Sequence, residues 1–297
     1  MTDRQYLEIQ VKSVLNRVDG MPFRWSINPY RGCSHACPFC FARRTHWFLD
    51  EDGVNDWATR VFVKVNAPEV LRRELGKPGW QRETVALGTA TDPYQAIEGR
   101  YRITRRILEA LRDFRTPVGI ITRCPMIVRD LDVLRDLARG PGVTVCVSLA
   151  TTDTRLARQL EPTVAPPVQR LRTVGRLAAA GIRTGVMLAP ILPGLTDSPK
   201  HLEAVIRAAR YHEAHFVGHN VLHLGEVTKD AFYAFLSRQY PDLLPRYDRL
   251  YGGKYAPRGY RSAIERIVAD AKDRLGIRQP RYAEPARAGR QLALFHP

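Results

Sequence analysis

The chain has 297 residues and carries 46 Lys+Arg against 30 Asp+Glu, a formal net charge of +16. That length suits one α/β barrel with a large core; no run of about 18 apolar residues is present to cross a membrane, and no internal repeat marks a solenoid. The start, Met1-Thr2-Asp3-Arg4-Gln5, lacks a basic-then-apolar secretion signal, and five cysteines, three of them in one loop, suit a reducing, cytoplasmic protein whose charge favours nucleic acid over a membrane surface.

A first strand at Arg24–Ile27 runs into the loop Asn28-Pro29-Tyr30-Arg31-Gly32-Cys33-Ser34-His35-Ala36-Cys37-Pro38-Phe39-Cys40. Three thiolates on one short, glycine-entered loop converge on a single soft metal centre. Zinc would need a fourth ligand, and His35 is the nearest candidate. An iron–sulfur cube held by Cys33, Cys37 and Cys40 would instead leave one iron open to a substrate or cofactor. Gly32 allows the tight turn, Pro29 and Pro38 stiffen the loop, and Arg31, His35, Arg43 and Arg44 place positive charge near the thiolates or simply face water.

Val61–Val65 reads as a short strand leading to a helix over Pro68–Leu75. Apolar runs at Val85–Leu87, Val118–Thr122, Val143–Leu149, Thr184–Leu188 and Phe216–Leu222 read as strands. Between and after them, Ile103–Phe114, Arg129–Ala138, Val168–Ala180, Pro199–Glu213 and Lys229–Arg238 read as amphipathic helices. Six strand–helix units argue for a parallel α/β barrel over residues 1–240. Small residues and hydroxyls after Leu87, in Gly88-Thr89-Ala90-Thr91-Asp92-Pro93-Tyr94-Gln95, offer acceptors for a ligand ammonium or, equally, a Thr/Asp turn capping the next helix. Cys146 lies in an apolar strand and reads as core; Cys124 ends a strand and is the better candidate for reactivity. From Arg246 to Arg261 cations and tyrosines interleave, as a surface for phosphates and unstacked bases or as rings packed on the barrel. This stretch belongs to a C-terminal helical extension over 241–277, and residues 278–297 read as a flexible tail.

The cysteine spacing, with Phe39 just before the last thiol, resembles that of the radical S-adenosylmethionine (SAM) enzymes. Thr91-Asp92-Pro93-Tyr94-Gln95, Ile121-Thr122-Arg123, Ser148, Glu161-Pro162 and Ala189-Pro190-Ile191-Leu192-Pro193-Gly194 are similar to strand-end motifs of its spore photoproduct lyase branch. The resemblance implies a partial (β/α)6 radical SAM barrel, a [4Fe-4S] cluster on the three cysteines, and SAM chelated at the open iron. One electron, received from a donor partner, then cleaves SAM to methionine and a 5′-deoxyadenosyl radical. It also implies a cofactor pocket at Phe39, Gly88, Thr89, Thr91, Asp92, Arg123, Ser148 and Pro190, with Arg123 and Ser148 toward the SAM carboxylate or ribose and the Pro190 segment against adenine.

The departures from that branch are specific. Photoproduct lyases carry tyrosines where this chain has Phe39 and Phe41, and a cysteine past the cluster loop where this chain has none between Cys40 and Cys124. Phenylalanine has no exchangeable O–H to relay a hydrogen atom. The chain reads as a lyase-like paralogue acting on nucleic acid, in DNA repair or base modification. Gln291-Leu292-Ala293-Leu294-Phe295 resembles the Gln-Leu-x-Leu-Phe peptide that docks bacterial proteins on the replication sliding clamp. Two alternatives are a non-catalytic iron–sulfur protein that binds DNA and clamp, and an RNA-modifying enzyme.

Overall fold

The computed structural model describes residues 4–21 and 23–277. In chain order these form β1 (Gln5–Ile9), β2 (Asn16–Arg17), β3 (Trp25–Ile27), β4 (Tyr30–Arg31), β5 (Arg60–Lys64), α1 (Ala67–Leu75), β6 (Val85–Leu87), α2 (Glu98–Tyr101), α3 (Ile103–Asp113), β7 (Val118–Thr122), α4 (Leu131–Arg139) and β8 (Val143–Ser148). There follow α5 (Thr154–Leu160), α6 (Pro167–Ala179), β9 (Arg183–Ile191), α7 (Pro199–Tyr211), β10 (Phe216–Val221), α8 (Glu226–Gln239), α9 (Leu244–Leu250) and α10 (Arg258–Arg274).

Strands β3, β6, β7, β8, β9 and β10 pair in parallel, each beside its neighbour in chain order. A doubly wound sheet would reverse that order at a switch point. An unbroken order is the wall of an open barrel, and six parallel strands meet the (β/α)6 expectation. Val118, Ile120, Val145, Val147, Val186 and Leu188 are buried, and so are Gly119, Cys146 and Gly185 at the alternating positions, as strands covered on both faces require. Helix α3 buries Ile103, Ile107, Leu108 and Leu111, one stripe of a 3.6-residue period. No helix among the described residues is long and apolar enough to cross a membrane.

Two parts of the sequence reading change. The Val61–Val65 run is β5, and it belongs to a separate sheet of order β1–β5–β4, parallel to β1 and antiparallel to β4. Because β4 is Tyr30–Arg31, this sheet anchors the start of the cysteine loop. The stretch Arg246–Arg261 is mostly packing. Tyr247 and Tyr251 are fully buried, and Tyr251 Oη donates to the Leu222 carbonyl at 3.0 Å. Tyr260 Oη and Arg246 Nη2 both reach Asp197 Oδ2, at 2.8 and 2.7 Å. Of the rings in that stretch, Tyr255 faces solvent. Helix α10 buries Ile264, Val268 and Ala271 and packs on α7 and β10, so the C-terminal extension completes the helical layer. The expected tail and its Gln291–Phe295 peptide lie outside the described residues.

Candidate functional site

The cysteine loop leaves β4 at the C-terminal end of β3, the end where barrel sites are built. Gly32 has φ +80°, and a Cβ there would stand 2.6 Å from the Arg60 carbonyl oxygen. The turn therefore demands glycine. Cys33 N–H donates to the Trp57 carbonyl at 3.1 Å, and within the loop Ala36 N–H reaches the Cys33 carbonyl and Cys40 N–H the Cys37 carbonyl. Arg43, expected as charge near the thiolates, is a buried staple. Its Nε and Nη2 donate to the Cys37 carbonyl at 3.3 and 3.2 Å, and its Nη1 to the carbonyls of Gly53 and Val54.

The strand-end motif after β6 holds this loop from the other side. Thr91 Oγ1 donates to the Gly32 carbonyl at 2.7 Å; Gln95 Nε2 donates to the same carbonyl and to Thr91 Oγ1, and Gln95 Oε1 accepts the Ser34 N–H at 2.8 Å. Asn28 bridges to Thr89 Oγ1 and to the Ala90 N–H. Asp92 accepts from Tyr94 N–H at 2.9 Å, Thr122 Oγ1 at 2.7 Å and Arg123 N–H at 2.7 Å. Its carboxylate thus closes a turn onto Tyr94 and ties the end of β6 to the end of β7; it caps no helix, since neither α2 nor α3 has a side-chain cap. Gly88, at φ +90°, has the Ile121 carbonyl 2.5 Å from where a Cβ would sit.

Behind the loop, Arg123 Nε pairs with Glu161 Oε1 at 2.8 Å, and Arg170 Nη2 with Glu161 Oε2 at 2.7 Å. Arg170 Nη1 also donates to the Ser148 carbonyl at 2.9 Å. Burial pushes the Glu161 carboxyl up, but Arg170 and Arg123 outweigh it and hold it below the usual range. Burial likewise opposes charge on Arg123, yet Cys37, Glu161 and Cys40 keep its pKa above the ordinary value. The Arg123 guanidinium lies 5.9 Å over the Phe39 ring, which is buried. Ser148 is buried at the end of β8, and Pro190 is half-buried in β9.

A second buried network fixes the start of the loop. Tyr30 Oη donates to Glu98, which also accepts from Arg129 Nη2 at 2.8 Å and the Thr104 N–H at 3.0 Å. Arg129 Nε continues to Asp130 at 2.8 Å, and Tyr94 Oη donates to that carboxylate at 3.1 Å.

All three loop thiols are free; Cys33 and Cys37 are buried and Cys40 half-buried. Burial pushes the Cys33 thiol up to about 12, and it raises Cys37 and Cys40 as well. Each of the three is further shifted by charged neighbours, including other thiols of the set for Cys33 and Cys37. Such thiols stay protonated without a strong Lewis acid, and metal ligation removes the proton. Among the described residues no three Cys, His, Asp or Glu side chains are placed to hold a single ion. His35 Nδ1 faces Asp92 Oδ2 at 3.4 Å. A cube is a different demand, since each thiolate reaches its own iron. The donor set fits the cube. Cys146 is buried, and burial together with Asp92 pushes Cys124 up to about 12.

Arg170 and the loop-binding role of Gln95 were not legible beforehand. Arg170 is one of several arginines along α6, and the signal that separates it is its phase on the buried face beside Leu171 and Val174.

A parallel six-strand barrel with three thiols at the C-terminal ends of its strands defines a class of cofactor-dependent enzymes. The Radical SAM superfamily model matches residues 27–209, and the chain belongs to that superfamily as a radical SAM enzyme. Uncharacterized protein Rv2578c of Mycobacterium tuberculosis is 44% identical over 266 residues, 88% of this chain and 78% of that protein. The radical SAM Nalpha-GlyT isomerase of Pseudomonas phage M6 is 27% identical over 180 residues, 59% of this chain and 35% of that protein. Among solved structures, a mutant spore photoproduct lyase with bound AdoMet and dinucleoside spore photoproduct superposes with TM-score 0.66 at 15% identity, covering 91% of this chain and 79% of that one. That likeness establishes the shared fold. The superfamily implies a [4Fe-4S] cluster and SAM.

Proposed function

We propose that Cys33, Cys37 and Cys40 hold the cluster, that SAM binds across the strand ends, and that the enzyme acts on nucleic acid. The observation that carries this reading is the placement of the three loop thiols, two buried and one half-buried, with Arg123, Ser148 and Pro190 at one end of the barrel. When bound, the cluster supplies the electron that cleaves SAM. The chain's own residues orient and exclude. Thr91 and Gln95 fix the Gly32 carbonyl and Arg43 the Cys37 carbonyl, so the backbone that carries the three thiols is held in place. Glu161 engages Arg123 through Nε alone, leaving the terminal nitrogens for the SAM carboxylate. The half-buried Pro190 segment supplies an apolar wall for adenine. Phe39 and Phe41 carry no O–H, so hydrogen return by the lyase tyrosine pair is not available here.

Nucleic acid as substrate is supported by the +16 charge and by the dinucleoside spore photoproduct bound to the lyase of similar fold. Docking on a sliding clamp through Gln291–Phe295 is supported by the peptide's sequence. The test compares 5′-deoxyadenosine formation by the reconstituted enzyme with no polymer, with single-stranded DNA, with duplex DNA and with transfer RNA. Stimulation by one DNA form supports the reading, stimulation by RNA alone moves the substrate to RNA, and no stimulation by any polymer contradicts it.

A further inference from the structure

Among the described residues, four of the exposed large apolar side chains are rings on two segments, while Met21, Val168 and Tyr211 stand singly. Phe41, Trp47 and Phe48 are 53, 55 and 76% exposed on the 3-10 helix Phe41–Leu49 that follows Cys40, and Tyr255 is 53% exposed. Solvated rings on this scale mark an interaction surface. The two groups border the same loop. His223 follows the C-terminal end of β10, forms an antiparallel bridge to Tyr255 and stacks on its ring at 4.8 Å and 25°. A few residues on, Thr228 Oγ1 donates to the Cys40 carbonyl at 3.2 Å. Arg44, three residues before Trp47 on the exposed side of the 3-10 helix, lies near enough to His223 to act on it electrostatically, as does Lys254.

The charge around these rings is positive. Arg31 lies 5.8 Å over Phe48, and Lys254 and Arg261 lie 5.3 and 5.8 Å over Tyr255. Of the nearby acids, Glu51 pairs with Arg60 and Asp52 accepts from Val54 N–H and Asn55, while Asp50 at the end of the 3-10 helix is exposed. Rings interleaved with cations are what an unpaired polynucleotide strand requires, the faces for its bases and the cations for its phosphates. An electron-donor protein would ask for the charge but not for several solvated rings.

We infer that the rings of Tyr255 and Trp47, with the neighbouring cations Lys254 and Arg44, form a stacking track that lays an unpaired segment of the nucleic acid beside the cluster loop. This rests on nucleic acid being the substrate class. The track names the form in which it is taken: bases out of the duplex, read by stacking.

The test is fluorescence anisotropy of a labelled single-stranded 12-mer DNA and its duplex, titrated with the cluster-loaded protein at several salt concentrations. Single strand should bind more tightly than duplex. Tyr255→Ala and Trp47→Ala should each weaken single-strand binding roughly 5- to 150-fold, the weight of one stacked base. Tyr255→Phe and Trp47→Phe should restore it. Arg44→Gln should lower the slope of log affinity against log salt by about 0.7. Tyr211→Ala, an exposed ring at the far end of α7, serves as the control and should change nothing, while circular dichroism checks the fold of every variant. Tight single-strand binding that survives both alanine variants overturns the track but leaves the substrate class standing. Absence of binding to any DNA or RNA overturns both. Binding of poly-glutamate with the same Tyr255 dependence would assign the surface to an acidic protein and overturn the track.

Discussion

Replacing Glu161 by Gln removes one negative charge from a buried site that holds two guanidinium groups. In the native protein the carboxylate stands 2.8 Å from Arg123 Nε and 2.7 Å from Arg170 Nη2, with the Glu161 and Arg170 side chains 1% exposed. Arg123, 22% exposed, recovers some hydration when its partner goes. Arg170 does not, and it is left as a buried cation facing an amide. Breaking a buried pair in this way costs about 3–5 kcal/mol. For a chain of this size that lowers the thermal midpoint by roughly 6–10 °C, at about 2 °C per kcal/mol. The assay is thermal unfolding of the anaerobic, cluster-loaded protein followed by circular dichroism. Adding Arg170→Met to Glu161→Gln removes the stranded cation and should return at least half of the lost midpoint. A Glu161→Gln shift under 2 °C, or a double variant no better than the single one, would refute the view that this carboxylate balances Arg170. The linkage has a definite sign. Because the folded carboxyl is held below its usual range, its contribution is full above pH about 4.3 and is lost as the pH falls through the depressed folded value. The gap between wild type and Glu161→Gln should therefore narrow on acidification.

Gly32→Ala forces a Cβ to within 2.6 Å of the Arg60 carbonyl at φ +80°; a strain of about 1–3 kcal/mol should open the loop, and iron analysis after reconstitution should show substoichiometric cluster. Arg123→Ala should leave cluster absorbance intact and weaken SAM binding by roughly 1.5–3 kcal/mol, about 10- to 150-fold; equilibrium dialysis giving unchanged affinity would take Arg123 out of the pocket. Burial, followed by Arg31, pushes the Lys64 ammonium from its ordinary 10.5 down to about 8, so between those values the folded chain has released a proton that the unfolded chain keeps. Wild-type stability should rise relative to Lys64→Met across that window, and a constant difference in thermal midpoint would show an unperturbed lysine. A synthetic peptide of residues 290–297 should bind a bacterial sliding clamp at micromolar strength, about −8 kcal/mol, and alanine at both Leu294 and Phe295 should abolish that binding.

The barrel strands were legible because each is a short Val/Ile-rich run bounded by turn residues, so β6 and β7 fall on the expected spans. Pairing over long separations was not. The second sheet depends on β1 meeting β5 some 55 residues later, with Gln5 opposite Arg60, and no local pattern announces that partner. The cluster loop was legible from three cysteines, but the meaning of its neighbours was not. Asp92 reads in sequence equally as a ligand anion or a helix cap, whereas two of its three donors come from the end of β7, a strand-to-strand tie that no local pattern announces. Tyr247, Tyr251 and Tyr255 look alike in sequence; helix phase buries the first two and a loop exposes the third. The arginine at 170 acquires its role from a carboxylate and a carbonyl contributed by other segments.

Anaerobic reconstitution with iron and sulfide, followed by assay of 5′-deoxyadenosine under a strong reductant, tests the central claim most directly. Wild type should bind one four-iron cluster and release 5′-deoxyadenosine and methionine from SAM, while Cys33→Ala, Cys37→Ala and Cys40→Ala should each lose both properties. A preparation that retains zinc in the loop and forms no 5′-deoxyadenosine, or a cysteine variant that still cleaves SAM, would contradict the assignment of these three thiols to the cluster.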